Sequence, residues 1–220
     1  ALYRHLLAHL LRNGWQVALW DLPGHGLTNC LDGDRIGTEQ FVETVDAVTR
    51  ALGVDKFTLA GNSMGGGVAW AYALAHPARL EGLVLVDASG WPETSQEEQS
   101  DPLVFKLLSN PVARRLMKNT DMTWLVRDGL RDSFANPDLA TDEMVYRYTA
   151  LARAPCHRDA LMALTSGGKG RIWATKETLS DIKTPTLILH GEQDNLIPVA
   201  AARKFADAIP GAELVIYPDA

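Results

Sequence analysis

The pentapeptide Gly61-Asn62-Ser63-Met64-Gly65 carries the residue types that an acyl-transfer nucleophile requires. Before it, Phe57, Thr58, Leu59 and Ala60 read as a short buried strand. After it, Met64 to His76 reads as a helix stopped by Pro77. A tight strand-to-helix turn would lift the Ser63 hydroxyl above the sheet edge, with Gly61 and Gly65 removing side chains that would collide in so sharp a bend. The backbone N–H of Met64, at a helix N-terminus, would then face a developing oxyanion. The bare pattern arises by chance in about one chain of this length in fifteen. Its placement between a strand and a helix is what gives it weight.

The elements that must position such a serine fit one α/β domain. The 220 residues suffice for a substantial core, and 46% hydrophobic with 22% charged residues is ordinary for a globular protein. A net charge of -6 offers no electrostatic footprint for nucleic acid or an anionic membrane surface. No apolar run reaches the ~20 residues of a membrane span. Cys30 and Cys156 are the two cysteines, read as buried or free thiols of a reduced, cytoplasmic compartment in preference to a disulfide framework. No His/Cys cluster suggests a metal, and no cofactor motif stands out. Ser166-Gly167-Gly168-Lys169-Gly170 lacks the spacing and hydroxyl of a phosphate loop and reads as a linker. The chain opens at Ala1 without methionine and stops at Ala220 just past an apparent strand, so both ends are read as cut. The lack of a signal peptide then says nothing.

Along the chain, Leu2 to Arg12 reads as a helix, and Trp15 to Trp20 as a buried parallel strand. Thr38 is placed to cap a helix running to about Leu52, with Phe41, Val42, Val45, Val48 and Leu52 on one face. Leu83 to Val86 is a strand ending in Asp87. Thr186 to Leu189 is a strand, Val199 to Ile209 a helix and Glu213 to Tyr217 a last strand. Five strands alternating with helices predict a parallel, doubly wound sheet covered on both faces. Residues 89–179 break this rhythm with amphipathic helical pieces around Leu103 to Leu116, Leu125 to Phe134 and Met144 to Leu151, the last capped by Thr141.

These blocks resemble the α/β-hydrolase superfamily over nearly the full chain. The resemblance is carried by Asp21-Leu22-Pro23-Gly24-His25-Gly26, Gly61-Asn62-Ser63-Met64-Gly65-Gly66, Leu83-Val84-Leu85-Val86-Asp87, and Pro185 through Asp194 followed by Ile197-Pro198. It implies a core of residues 1–88 and 180–220 with a helical cap inserted at 89–179. It further implies Ser63 as nucleophile, Asp194 as triad acid and the Met64 N–H as one oxyanion donor. Asp194 also suits that role physically, lying in a loop at the carboxyl end of the sheet, where catalytic groups gather. The alternative is a loop carboxylate that caps a helix or makes a turn. Asp87 is the competing acid, since some relatives carry it after the equivalent strand.

The family's catalytic histidine and second oxyanion donor would fall outside residues 1–220. Of the six histidines present, His76 closes the elbow helix, roughly 20 Å from Ser63. His5, His9 and His157 read as solvated or packing residues, His25 as structural and His190 as packing. The resemblance therefore implies a serine hydrolase whose base is missing here, slowing the fragment by about 10⁴ to 10⁶-fold. A serine at the elbow argues against epoxide or haloalkane hydrolysis, for which relatives use Asp. The expected substrate is a small to medium hydrophobic ester. The alternatives are C–C bond hydrolysis of ring meta-cleavage products, whose elbow the Gly61–Gly66 segment resembles, and a non-catalytic ligand-binding member of the fold. Trp91, Phe105, Met117, Met122, Trp124, Phe134, Met144 and Met162 are candidate pocket residues at the cap–core junction.

Overall fold

Four apolar runs, each short enough for a strand and separated by helical stretches, hydrogen-bond side by side as one parallel sheet. They are β1 (Phe57–Asn62), β2 (Leu80–Val86), β3 (Thr186–Gly191) and β4 (Glu213–Tyr217), in spatial order β1-β2-β3-β4. The computed structural model describes residues 3–30, 36–92, 121, 123–165 and 172–220. The helices are α1 (Arg4–Arg12), α2 (Thr38–Ala51), α3 (Met64–Ala75), α4 (Thr123–Asp132), α5 (Asp142–Ala152), α6 (His157–Thr165), α7 (Lys176–Leu179) and α8 (Val199–Ala208). The parallel α/β architecture is thus the one the alternating pattern implies.

Helix α3 shows how the sequence sets the packing. Its Met-Gly-Gly-Gly-Val-Ala-Trp-Ala-Tyr-Ala-Leu-Ala run is apolar all round, as a helix enclosed by protein should be. Small residues let it lie close along β1 and β2, while Trp70 and Tyr72 fill the core. Helix α8 packs on β3 and β4, and α2 and α7 pack against α3. Phe41, Leu83, Leu85, Ile188 and Phe205 join them in one apolar cluster. Phe205 sits between the rings of Trp70 and Trp91, with centroids 6.4 and 5.7 Å away. Arg79 ties the layer's edge: it donates to Thr49 Oγ1 at 3.0 Å and to the Val54 carbonyl at 2.9 Å.

Several expectations are corrected. Trp15 to Trp20 is not a fifth strand. It forms no ladder with the sheet, and Trp15 and Leu19 are 56% and 51% exposed, because no described strand lies alongside to pair with it. Helix α1 likewise has no buried residue despite its leucine stripe. The sheet is not covered on both faces at β1, where Thr58 and Ala60 are exposed. Thr38 is the first residue of α2, not its cap; Gly37 holds that position without a side-chain bond. Leu52 follows the helix and is exposed.

Cys30 and Cys156 are not free thiols. They form a disulfide, Cα atoms 6.2 Å apart, across 126 residues of sequence. Sequence distance hid a pairing that the fold makes adjacent.

Between β2 and β3 the described residues contain helices and no strand, as expected. Thr141 caps α5 by accepting from the Met144 N–H. The piece around Leu103 to Leu116 and the Ser166–Gly170 linker lie outside the described residues. So do Phe105, Met117, Met122 and the side chain of Met162. Of the other candidate pocket residues, Trp91 packs against the core and Trp124 is exposed.

Replacing Phe205 with Ala should lower unfolding stability by about 3–5 kcal/mol, the cost of an aromatic-sized core cavity. Leu6→Ala on the unburied α1 should cost under about 0.5 kcal/mol. Urea titration followed by tryptophan fluorescence compares the two directly.

Candidate functional site

The register of the sheet builds the site. Asn62 pairs with Val86, and Val86 with Leu189, so the last residues of β1 and β2 stand level with Leu189 of β3. The next residue in each strand direction is Ser63, Asp87 and His190. Backbone bonds hold that row: Ser63 N–H donates to Val86 O at 2.9 Å, and Asp87 N–H to Leu189 O at 3.0 Å.

Ser63 adopts φ 52° and ψ -117°, a left-handed backbone that a side chain seldom tolerates. Such a residue costs about 1–3 kcal/mol and persists only where its surroundings over-determine it. Here its carbonyl accepts from Gly67 N–H and Ser89 N–H, both at 3.1 Å, while its own N–H is bound to β2. Close approach also fixes the glycines. A side chain at Gly61 would collide with the Gly65 carbonyl, and one at Gly66 would reach Ala88 Cβ at 2.7 Å. A Cβ at Gly65 would meet nothing within 4 Å beyond its own helix. Gly61 and Gly66, not Gly65, are therefore the sterically required pair.

The Ser63 hydroxyl is half-buried and makes no hydrogen bond among the described residues. Met64 opens α3, so its N–H has no acceptor within the helix. The elbow borders a cavity of about 310 Å³ whose lining includes Asn62, Met64, Trp20, Leu22 and His25.

Asp194 lies beyond β3, in a tight loop that it organises. Its Oδ1 accepts from Leu196 N–H at 2.7 Å and Ile197 N–H at 3.0 Å. His190, 1% exposed, donates through Nε2 to the Ile197 carbonyl at 2.8 Å, so His190 and Asp194 grip the same residue from two sides. Asp194 Oδ2 is 3.8 Å from His190 Nε2, and Asp87 Oδ1 is 3.6 Å from His190 Nδ1. That Nδ1 is buried without a hydrogen-bond partner. Asp87 in turn accepts from Gly191 N–H at 3.1 Å and from Asn62 Nδ2 at 3.3 Å.

Asn62, beside Ser63, is thus hydrogen-bonded to Asp87, and Asp87 and Asp194 flank the two ring nitrogens of His190 at 3.6 and 3.8 Å. No direct contact joins Ser63 to Asp194 among the described residues. Asp87, itself at φ 44°, is pushed above the usual carboxylate range mainly by burial. The Gly191 N–H and His190 oppose that shift, and the nearby Asp194 charge adds to it. Ligand atoms of Asp87, His190 and Asp194 lie within 4.8 Å of one another, a spacing a metal ion could use. Both Asp87 oxygens, His190 Nε2 and Asp194 Oδ1 are already hydrogen-bonded, while His190 Nδ1 is not.

The sequence reading missed this cluster because it depends on strand register. Its only trace was that Asn62, Asp87 and His190 each stand at the end of an apolar run. The histidines are placed as packing or exposed groups. His25 Nδ1 lies 3.0 Å from Pro23 O, and burial lowers its pKa. His76 stacks on Tyr72 at 4.7 Å, and His157 lies between Leu151 O and Thr28 O. None of these contacts involves Ser63.

Comparison with known proteins agrees with this architecture. The 2-hydroxy-6-oxononadienedioate/2-hydroxy-6-oxononatrienedioate hydrolase of Comamonas testosteroni is 26% identical, over 98% of this chain and 73% of its own. A bifunctional esterase/perhydrolase of Acinetobacter calcoaceticus is 26% identical, over 94% of this chain and 75% of its own. The solved structure of a meta-cleavage product hydrolase from Pseudomonas fluorescens IP01 is similar in fold, with a TM-score of 0.74 at 21% identity. It covers 90% of this chain and 69% of that chain. The chain thus spans roughly seven tenths to three quarters of the length of these relatives. No helix among the described residues is long and apolar enough to cross a membrane. With an α/β-hydrolase fold and a match of the family's sequence profile across residues 1–220, the chain belongs to the serine aminopeptidase, S33, family.

Proposed function

We propose that these residues form the core of a serine hydrolase that cleaves a carbon–carbon bond in a ring meta-cleavage product, a 2-hydroxy-6-oxo-dienoate. The observation that carries the hydrolytic reading is Ser63 held at φ 52° on a strand-to-helix turn, its hydroxyl unbonded beside a free helix N-terminus. The dienoate class is supported by the Comamonas testosteroni relative and by the Gly61–Gly66 elbow. Ester hydrolysis is the second reading, favoured by the Acinetobacter calcoaceticus relative. Residues 89–179 act as the cap that selects between such substrates.

In this reading Ser63 gives its proton to a histidine base and attacks the substrate carbonyl carbon. The Met64 N–H donates to the resulting oxyanion. With a dienoate, prior ketonisation lets the C–C bond break with its electron pair stored as an enolate, which takes up a proton. Water then releases the acyl group from Ser63 as a carboxylic acid. Asp194 holds the base through its Nδ1–H and stabilises the imidazolium. Asp87 suits that role less, because burial disfavours its charged form. It serves with His190 as a brace for the Asp194 loop. Among the described residues, no hydrogen bond or ion pair joins a histidine to Ser63.

In a chain that includes the base, Ser63→Ala should reduce dienoate kcat by at least about 10⁴-fold. Loss of dienoate absorbance should give a higher kcat/KM than p-nitrophenyl ester release. The reverse ranking would favour the ester reading, and undiminished turnover in the variant would end the Ser63 assignment. Gly61→Ala should abolish activity by distorting the elbow, while Gly65→Ala should remain folded with an intact Ser63 turn. Equal damage from both would contradict the contact geometry.

The raised Asp87 pKa also predicts a pH effect. A carboxyl that holds its proton more tightly when folded costs stability once pH climbs through the unfolded value and toward the folded one. Asp87→Asn removes that cost. Its melting temperature relative to the natural chain should therefore rise between about pH 3 and about pH 7. A difference that stays flat or falls over that range would show that ionised Asp87 is not penalised.

A further inference from the structure

Helices α4, α5 and α6 pack on one another between β2 and β3, and none of them packs extensively on a helix or strand of the core. One joint to the rest, among the described residues, is the loop of residues 21–30. Gly24 approaches so closely that a Cβ there would stand 2.6 Å from Ala160 Cβ of α6. His157, buried at the start of α6, has Nδ1 2.9 Å from Leu151 O and Nε2 3.2 Å from Thr28 O, linking α5 to the loop. Leu164 adds an apolar contact to the core cluster. The covalent member of this joint is Cys30–Cys156.

Three features make that bond more than a staple. Cys156 is an exposed residue. It stands at φ 68°, a left-handed backbone uncommon for a residue with a side chain, immediately before α6 begins. The other arm, residues 21–30, carries Asp21, Leu22 and His25 of the cavity that also borders Asn62, Met64 and Gly65. The bond therefore joins the helical segment to a loop on the elbow side of the molecule.

We propose that Cys30–Cys156 is a thiol-exchange latch that holds α4–α6 against the loop beside the elbow and is opened by a dithiol reductant. One thiolate of the dithiol attacks Cys156 Sγ, and Cys30 leaves as a thiolate that takes up a proton. The second thiol then displaces Cys156, leaving two protein thiols and an oxidised, cyclic disulfide of the reductant. Opening removes the covalent tether but leaves the sheet, α3 and α8 untouched, since none of them contains either cysteine. This latch goes beyond the proposed hydrolytic function and holds whether or not Ser63 is a nucleophile.

Hydrogen–deuterium exchange of the full 220-residue chain, before and after dithiothreitol, tests it. Reduction should speed exchange of residues 21–30 and 157–165 about tenfold or more, with β1 to β3 unchanged, and air re-oxidation should restore protection. The Cys30→Ser variant should exchange rapidly in both segments whatever the reductant. If that variant fails to fold, the natural chain with and without reductant decides alone. Unchanged exchange in α6 on reduction would overturn the latch, as would two free thiols in the purified chain after exposure to air. Faster exchange across the whole sheet would overturn it too, by showing a global staple in place of a local latch.

Discussion

The register of three parallel strands is the constraint on which the site depends. β1, β2 and β3 are in register at Asn62, Val86 and Leu189; β1 and β2 end there and lead into Ser63 and Asp87, while β3 runs on through His190 to Gly191 beside β4. A shift of one residue in either ladder would turn alternate side chains to the opposite face and separate the polar groups. The apolar cluster under α3 and α8 is what fixes that register, because Leu83, Leu85 and Ile188 must point into it. Core packing and site geometry are therefore one problem in this protein.

Two kinds of strain sit at those strand ends. Ser63 and Asp87 both have positive φ without being glycine, and both are tied by backbone bonds to the neighbouring strand. Burial additionally raises the Asp87 carboxyl. Asp194 sits differently: two backbone N–H groups cradle one oxygen, leaving the other turned toward His190. The two carboxylates, one residue type in one cluster, thus differ in their hydrogen-bond surroundings, which is why their proposed roles differ.

Much of this was legible in the residues. The Phe57–Ala60 run, the Ala- and Gly-rich helix after Ser63 and the Thr141 cap depend on neighbours in sequence, and local rules recover them. Trp15 to Trp20 shows the limit, since its pattern is that of a strand and a strand exists only where a partner supplies the ladder. The Cys30–Cys156 bond and the Asn62–Asp87–His190 cluster fail for the same reason, being products of register and long-range closure. The choice of glycine was misread as well. The motif singles out Gly61 and Gly65, while the collisions that matter involve Gly61 and Gly66.

The account stands on the reactivity of a single oxygen. Peptide mapping by mass spectrometry, after the protein has reacted with a fluorophosphonate, locates that oxygen directly. The account predicts one adduct, on the peptide containing Ser63, and none once Asp194 is replaced by Asn at equal exposure. An unlabelled Ser63 in a folded chain, or an adduct on any other residue, would contradict it.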